Sequence, residues 1–283
     1  MKASKESSAP KPSSTSRSKA PKIEKRAALK LSVSSVQTFQ GCKAKWYYRY
    51  MANLPAPPTY HLTAGSFIHK ILEIFLRRYA KSKDLRDAGN VAFHLAKKDK
   101  ELAPHLTKEI TSEGKDWLKF LVRKFEKTPE AIPNAIKIET PFTFKIELED
   151  SDIAVRGFID RIDRIDDTTI KIVDYKTSSN PNYLDSFQLA TYAIAMEKKY
   201  PDTKILASYE LIRHEFQDKP FDIDEATKSQ VIETFKTTAS EIINLKLSSP
   251  DTPWEPTPTR LCSYCPYRVT CEKDRTKESK WQV

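Results

Sequence analysis

The spacing of apolar residues changes period along this 283-residue chain. Residues 62–80 place Ile68, Ile71, Leu72, Phe75, Leu76 and Tyr79 at helical intervals. Upstream, the stretch from Ser32 to Tyr50 opens on serines suited to N-capping and predicts a helix broken only by Gly41. A proline-rich loop, LPAPPT, separates the two. Residues 84–128 are charged and helix-prone, which predicts two or three helices forming an inserted or lateral layer at about 84–130. From residue 136 the period becomes that of a strand: IKIETPFTFKIEL, IAVRGFIDRIDRI and TIKIVDYK predict three strands joined by short acidic turns. A helix at 184–199, a strand at 204–213 and a helix at 225–246 follow. The order helix, three strands, helix, strand, helix predicts a mixed α/β unit in which helices cover a sheet.

Charge changes this picture at one end. The formal net charge is +10, and residues 1–30 hold nine Lys or Arg against two Glu. That tail is rich in Ser, Pro and Lys and nearly devoid of apolar residues, so it is expected to be disordered, with residues 31–283 forming a single domain. Its prolines and lack of an amphipathic pattern argue against a transit peptide. A solubilising role and weak nucleic-acid contact both suit it. No apolar run approaches membrane-spanning length and no secretory signal is evident, so the expectation is a soluble, intracellular, cytoplasmic protein without membrane contact. Only five glycines occur and none builds a GxxxxGK[ST] loop, so any helicase motor would come from a partner.

The candidate chemistry lies between residues 157 and 177, in GFIDRID and VDYKT. Asp174 and Lys176 are two apart, so on a strand they share a face. If the preceding strand is their antiparallel partner, Asp160 sits opposite. Paired carboxylates offer hard oxygen ligands for Mg²⁺ or Mn²⁺, and a lysine beside them can activate or orient a water. A solvated hairpin is the bland alternative.

Four short motifs in order, GSFIHKILE, GFIDRID, VDYKT and QLATY, resemble the RecB-like branch of the PD-(D/E)XK nucleases over roughly residues 32–272. The resemblance implies a restriction-endonuclease-like αβββαβ core with a mixed sheet and added helices. It implies His69 as a metal ligand, where spacing alone would also allow a satisfied core histidine, and Gly65 as the point where helix and sheet approach. Asp160 and Asp174 become metal ligands together with the Tyr175 backbone carbonyl, and Lys176 the catalytic lysine. Of the two aspartates in GFIDRID, the G-x-x-D pattern selects Asp160. Asp163 projects to the opposite face and is expected to pair with an arginine. Glu73 either supports the site or faces solvent. Gln188 and Tyr192, at i and i+4, contact nucleic acid or orient the lysine in such proteins, while an ordinary amphipathic helix has the same spacing.

Cys262, Cys265 and Cys271 form C-x2-C-x5-C, and Cys42 stands far upstream. Four thiolates can hold structural Zn²⁺ or a [4Fe–4S] cluster. The one-plus-three arrangement resembles the iron–sulfur clasp of AddB-type and CRISPR-adaptation nucleases, which implies a cluster-binding segment at 254–273 that ties the first helix to the last. Trp46, Tyr47, Tyr48, Arg49, Tyr264, Tyr267 and Arg268 lie around it and can pack the cofactor or stack on unpaired bases. The function implied is a metal-dependent deoxyribonuclease, an exonuclease on single-stranded ends acting beside a helicase, recombination or adaptation partner. A CRISPR-adaptation or structure-specific endonuclease, and a non-catalytic DNA-binding protein, are the alternatives.

Overall fold

The architecture described here is that of a computed structural model, for residues 26–149, 151–178, 180 and 184–277. The predicted disorder of the basic tail therefore falls, for residues 1–25, outside the described residues. Residues 26–30 correct its boundary. Arg26–Leu31 form strand β1, whose alternating apolar positions pair in parallel with β3, Ser151–Arg164.

Helix α1, Val33–Gly41, starts at Ser32, whose hydroxyl accepts from the Ser35 N–H while the Ser35 side chain accepts from the Ser32 N–H. The predicted break in this segment falls at Cys42 rather than Gly41. Cys42 is extended (φ −168°, ψ 114°), and its sulfur caps the short helix α2, Lys43–Trp46, before a π-helical turn at Tyr47–Met51. Helix α3, Tyr60–Ser82, buries the Ile68, Ile71, Leu72, Phe75, Leu76 stripe that the sequence predicts. Helices α4, Leu85–Ala96, and α5, Lys108–Lys127, fill the charged insertion and pack on α3. Gly114 permits this closeness: a Cβ there would stand 2.6 Å from the Phe67 ring.

Strand β2, Ala135–Glu147, pairs antiparallel with β3, and β4, Thr169–Lys176, pairs antiparallel with β3 only over Arg161–Arg164. After helix α6, Ser186–Lys199, strand β5, Lys204–Leu211, runs parallel to β4, and β6, Gln217–Phe221, closes that edge. Helix α7, Glu225–Ser248, and helix α8, Arg268–Lys277, complete the chain. The result is a six-stranded mixed sheet in the order β1-β3-β4-β5-β6 with β2 on the other edge of β3.

Helices cover both faces of this sheet. Ile170 and Ile172 of β4 belong to a core shared with α1, α6 and α7, whereas Val173 and Tyr175 belong to one shared with α3, α4 and α5. Strand β4 is consequently buried almost throughout, as expected of a central strand next to a parallel neighbour. That burial fixes the backbone from which Asp174 and Lys176 project.

Candidate functional site

The site forms where β3 and β4 part company. Their pairing stops at Arg161 and Val173, so Asp160 and Asp174, the next residues on each strand, face the opening fork. Asp160 Oδ2 accepts the Tyr175 peptide N–H at 2.7 Å, which spans the fork and sets the carboxylate. From α3, His69 brings Nδ1 to 3.5 Å from Asp160 Oδ1. Gly65, one turn earlier, lets the helix lie close to the strand end: an added Cβ would sit 3.0 Å from Thr177 Oγ1.

Asp174 is 3 % exposed. Gln188 Nε2 donates to its Oδ1 at 2.8 Å and to the Tyr192 hydroxyl at 2.7 Å, while the Gln188 carbonyl accepts from Lys176 Nζ at 2.6 Å. One glutamine thus bonds carboxylate, lysine and tyrosine together. Lys176 Nζ lies 2.8 Å from Asp174 Oδ2 and 4.8 Å from the centre of the Tyr209 ring. The contact with Oδ2 lacks hydrogen-bond geometry, so that buried oxygen has no hydrogen bond among the described residues. Burial, and then the charge of Asp160, push the Asp174 carboxyl up to about 6. At His69 burial opposes the imidazolium, but contact with Asp160, aided by Asp174 and Glu139, outweighs it and raises the pKa.

Glu139 was not anticipated. It lies on β2 between Ile138 and Thr140, which pair with Arg161 and Ile159, so it stands across from Asp160. Its φ is +47°, a left-handed conformation that costs a non-glycine residue about 1–3 kcal/mol and concentrates at functional sites. One ligand atom each from His69, Glu139 and Asp160 all lie within 4.8 Å of one another. Burial, reinforced by the Asp160 charge, pushes the Glu139 carboxyl up to about 7. The imidazole of His69, the carboxylates of Glu139 and Asp160 and the neighbouring Asp174 carboxylate form a donor set that fits a hard divalent cation.

Other predicted residues fall around this centre. Glu73 bridges Lys70 and Arg77, and Arg77 donates to the Ile138 carbonyl beside Glu139. Asp163 does pair with an arginine. Arg161 donates to both its oxygens at 2.9 and 3.0 Å, to the Tyr175 hydroxyl at 2.7 Å, and pairs with Glu210 at 2.7 Å. This buried cluster holds the Tyr175 hydroxyl, while Asp160 holds its peptide N–H. Arg161 lies inside GFIDRID, two residues from Asp163, whereas Glu210 belongs to no motif and comes beside Tyr175 only through the β4–β5 register.

The four cysteines line a single cavity with Tyr48 and Tyr267, far from the fork in sequence. Backbone N–H groups of Lys45 and Thr257 approach Cys42 Sγ at 3.5 Å, and that of Thr259 approaches Cys262 Sγ at 3.4 Å. Four sulfurs around one cavity are the kind of donor set that a structural zinc or an iron–sulfur cluster takes. Trp46 stacks on Trp254 at 5.2 Å and Tyr48 contacts Tyr267 at 5.8 Å, all four buried, so these rings are packing. Tyr264 is exposed, Arg49 lies over the Tyr50 ring, and Arg268 bonds Glu272.

A profile of the PD-(D/E)XK nuclease superfamily matches residues 30–272. The chain belongs to that superfamily. Its relatives include a component of the ATP-dependent helicase/deoxyribonuclease of Streptococcus agalactiae serotype Ia, 26 % identical over 185 residues. The same component from Streptococcus mutans serotype c is 28 % identical over 183 residues. These alignments cover 60 % and 59 % of this chain but 16 % of each relative. The fold is also that of a crystal structure from Eubacterium rectale described as a "putative exonuclease". The TM-score is 0.52 at 14 % identity, over 83 % of this chain and 86 % of that one. No helix among the described residues is long and apolar enough to cross a membrane.

Proposed function

We propose that this chain is a metal-dependent deoxyribonuclease that hydrolyses phosphodiester bonds at single-stranded DNA ends. The observation carrying this reading is the meeting of His69, Glu139, Asp160, Asp174 and Lys176 at the fork between β3 and β4. Mg²⁺ or Mn²⁺ held by the imidazole, the carboxylates and the Tyr175 carbonyl would supply Lewis acidity to the phosphate and acidify an attacking water. Lys176, fixed by Gln188 and the Tyr209 ring, orients that water and steadies charge on the phosphate oxygens. Gln188 keeps Asp174 and Lys176 in register, and Tyr192 buttresses Gln188.

Cys42, Cys262, Cys265 and Cys271 hold a [4Fe–4S] cluster that fastens the α1–α2 junction to the C-terminal segment. Hydrolysis needs no electron transfer, so the cluster is structural. The relatives are named as components of a helicase/deoxyribonuclease, so a helicase or recombination partner would supply strands, the motor lying outside these residues.

The test is digestion of oligonucleotides labelled at either end, with Mg²⁺, Mn²⁺ or EDTA. Progressive shortening from one end with either metal, absent in EDTA, is expected. Cutting of end-less circular single strands would instead mark an endonuclease, and binding without any cleavage a non-catalytic protein.

A further inference from the structure

Strand β3 has different neighbours along its two edges. Strand β2 follows one edge from Asp152 to Asp163. On the other edge β1 covers Ser151–Val155 and β4 covers Arg161–Arg164. Between them, residues 156–160 have no strand partner on that edge among the described residues. This window in the sheet borders a groove of about 1040 Å³ lined by Ser34 and Gln37 of α1 and by Lys176, Gln188 and Tyr192.

The window has an aromatic floor and an aromatic rim. Phe142 lies across Gly157, where an added Cβ would stand 2.8 Å from its ring, and meets Tyr192 edge-on at 5.4 Å. Arg156 and Phe158 alternate with buried Val155 and Ile159, so both project to the exposed side of β3. Phe158 is 60 % exposed in mid-strand, two residues before Asp160. A large apolar ring held in water there gains nothing from the fold, and it borders the same groove as Lys176.

We propose, resting on the nuclease reading, that this window is the track of single-stranded DNA toward the fork: Phe158 stacks on an unpaired base and Arg156 pairs with a backbone phosphate. A flat ring accepts any base, and a guanidinium accepts any phosphate, so the track favours unpaired strands without choosing sequence. Lys176, Gln188 and Tyr192 line the same groove as Phe158 and Arg156, so these two residues would position the strand that leads to the fork.

The test is fluorescence anisotropy of a labelled oligothymidylate in EDTA, where nothing is cut. Phe158→Ala should weaken binding roughly tenfold, the scale of one lost base stack, and Phe158→Tyr should restore it while Phe158→Leu does not. An abasic strand should bind wild type about as weakly as the natural strand binds Phe158→Ala, and the variant should not distinguish the two strands. Arg156→Ala should shrink the slope of log affinity against log salt by about 0.7. Phe158→Ala binding with wild-type affinity, or wild type binding the abasic strand equally well, overturns the track. Wild type that neither binds nor cuts any DNA removes the nuclease reading itself and the track with it.

Discussion

Replacing Glu139 by Gln separates what the fold needs at this position from what a cation needs there. The side chain is half-buried opposite Asp160, and its carboxyl is pushed from 4.5 up to about 7 by burial and then by that charge. As pH rises from about 4.5, the unfolded chain gives up this proton first, while the folded protein keeps it until about 7. The folded state therefore loses stability across that interval and carries the full penalty above it. At about 1.4 kcal/mol per tenfold change in proton affinity the gross penalty is about 3 kcal/mol, and partial solvent access screens it to about 1–2 kcal/mol. In EDTA at pH 8, Glu139→Gln should therefore be more stable than wild type, with Tm higher by about 3–6 °C, and the gain should vanish near pH 4.5. Saturating Mn²⁺ should reverse the order, because wild type keeps the ligand and the variant does not. Thermal melts at the two pH values, with and without Mn²⁺, measure all four terms. A variant less stable than wild type at pH 8 in EDTA would refute the reasoning, since it would show Glu139 to be held by partners rather than strained by neighbours.

The other clusters make their own predictions. Gln188→Ala frees Lys176 and Asp174 from their shared tether, and turnover should fall roughly 10–100-fold with the melting temperature little changed; an unaltered rate would remove its orienting role. Arg161→Leu strands Asp163 and Glu210 without their buried counter-charge and should cost about 3–5 kcal/mol in denaturant unfolding, against near zero if the cluster is solvated. Anaerobically purified wild type should be brown, with a broad visible absorption, and Cys42→Ser should lose both the colour and thermal stability. Colourless wild type carrying one zinc per chain would contradict the iron–sulfur assignment.

Much of this architecture was legible because burial writes itself into spacing. Strand β4 spans the TIKIVDYK run end to end, β2 and β3 lie within two residues of their predicted bounds, and α3, α6 and α7 follow their apolar stripes. Two of the three edge strands, β1 and β6, were not legible. β1 lies in a lysine-rich context that reads as tail, and β6, QDKPF, is polar and carries a proline, as solvent-facing edges often do. His69, Asp160, Asp174 and Lys176 announced themselves through motif order, and Asp163 through its phase on the strand. Glu139 did not, because it enters the site through a left-handed φ that no local pattern encodes. Tyr209 and the Arg161–Glu210 pair were invisible for a related reason: their roles depend on the register between β4 and β5. The window in the sheet is likewise a property of pairing, since it exists only because β1 and β4 share one edge of β3.

The most direct test of the central claim is the single-turnover cleavage rate of an end-labelled single strand in Mn²⁺ by wild type and Lys176→Ala, compared at saturating protein. Removing a residue that orients the attacking water should slow the chemical step by roughly 10²–10⁴-fold while the strand still binds. Equal rates in the two proteins would mean that the fork between β3 and β4 is not where the phosphodiester is cut.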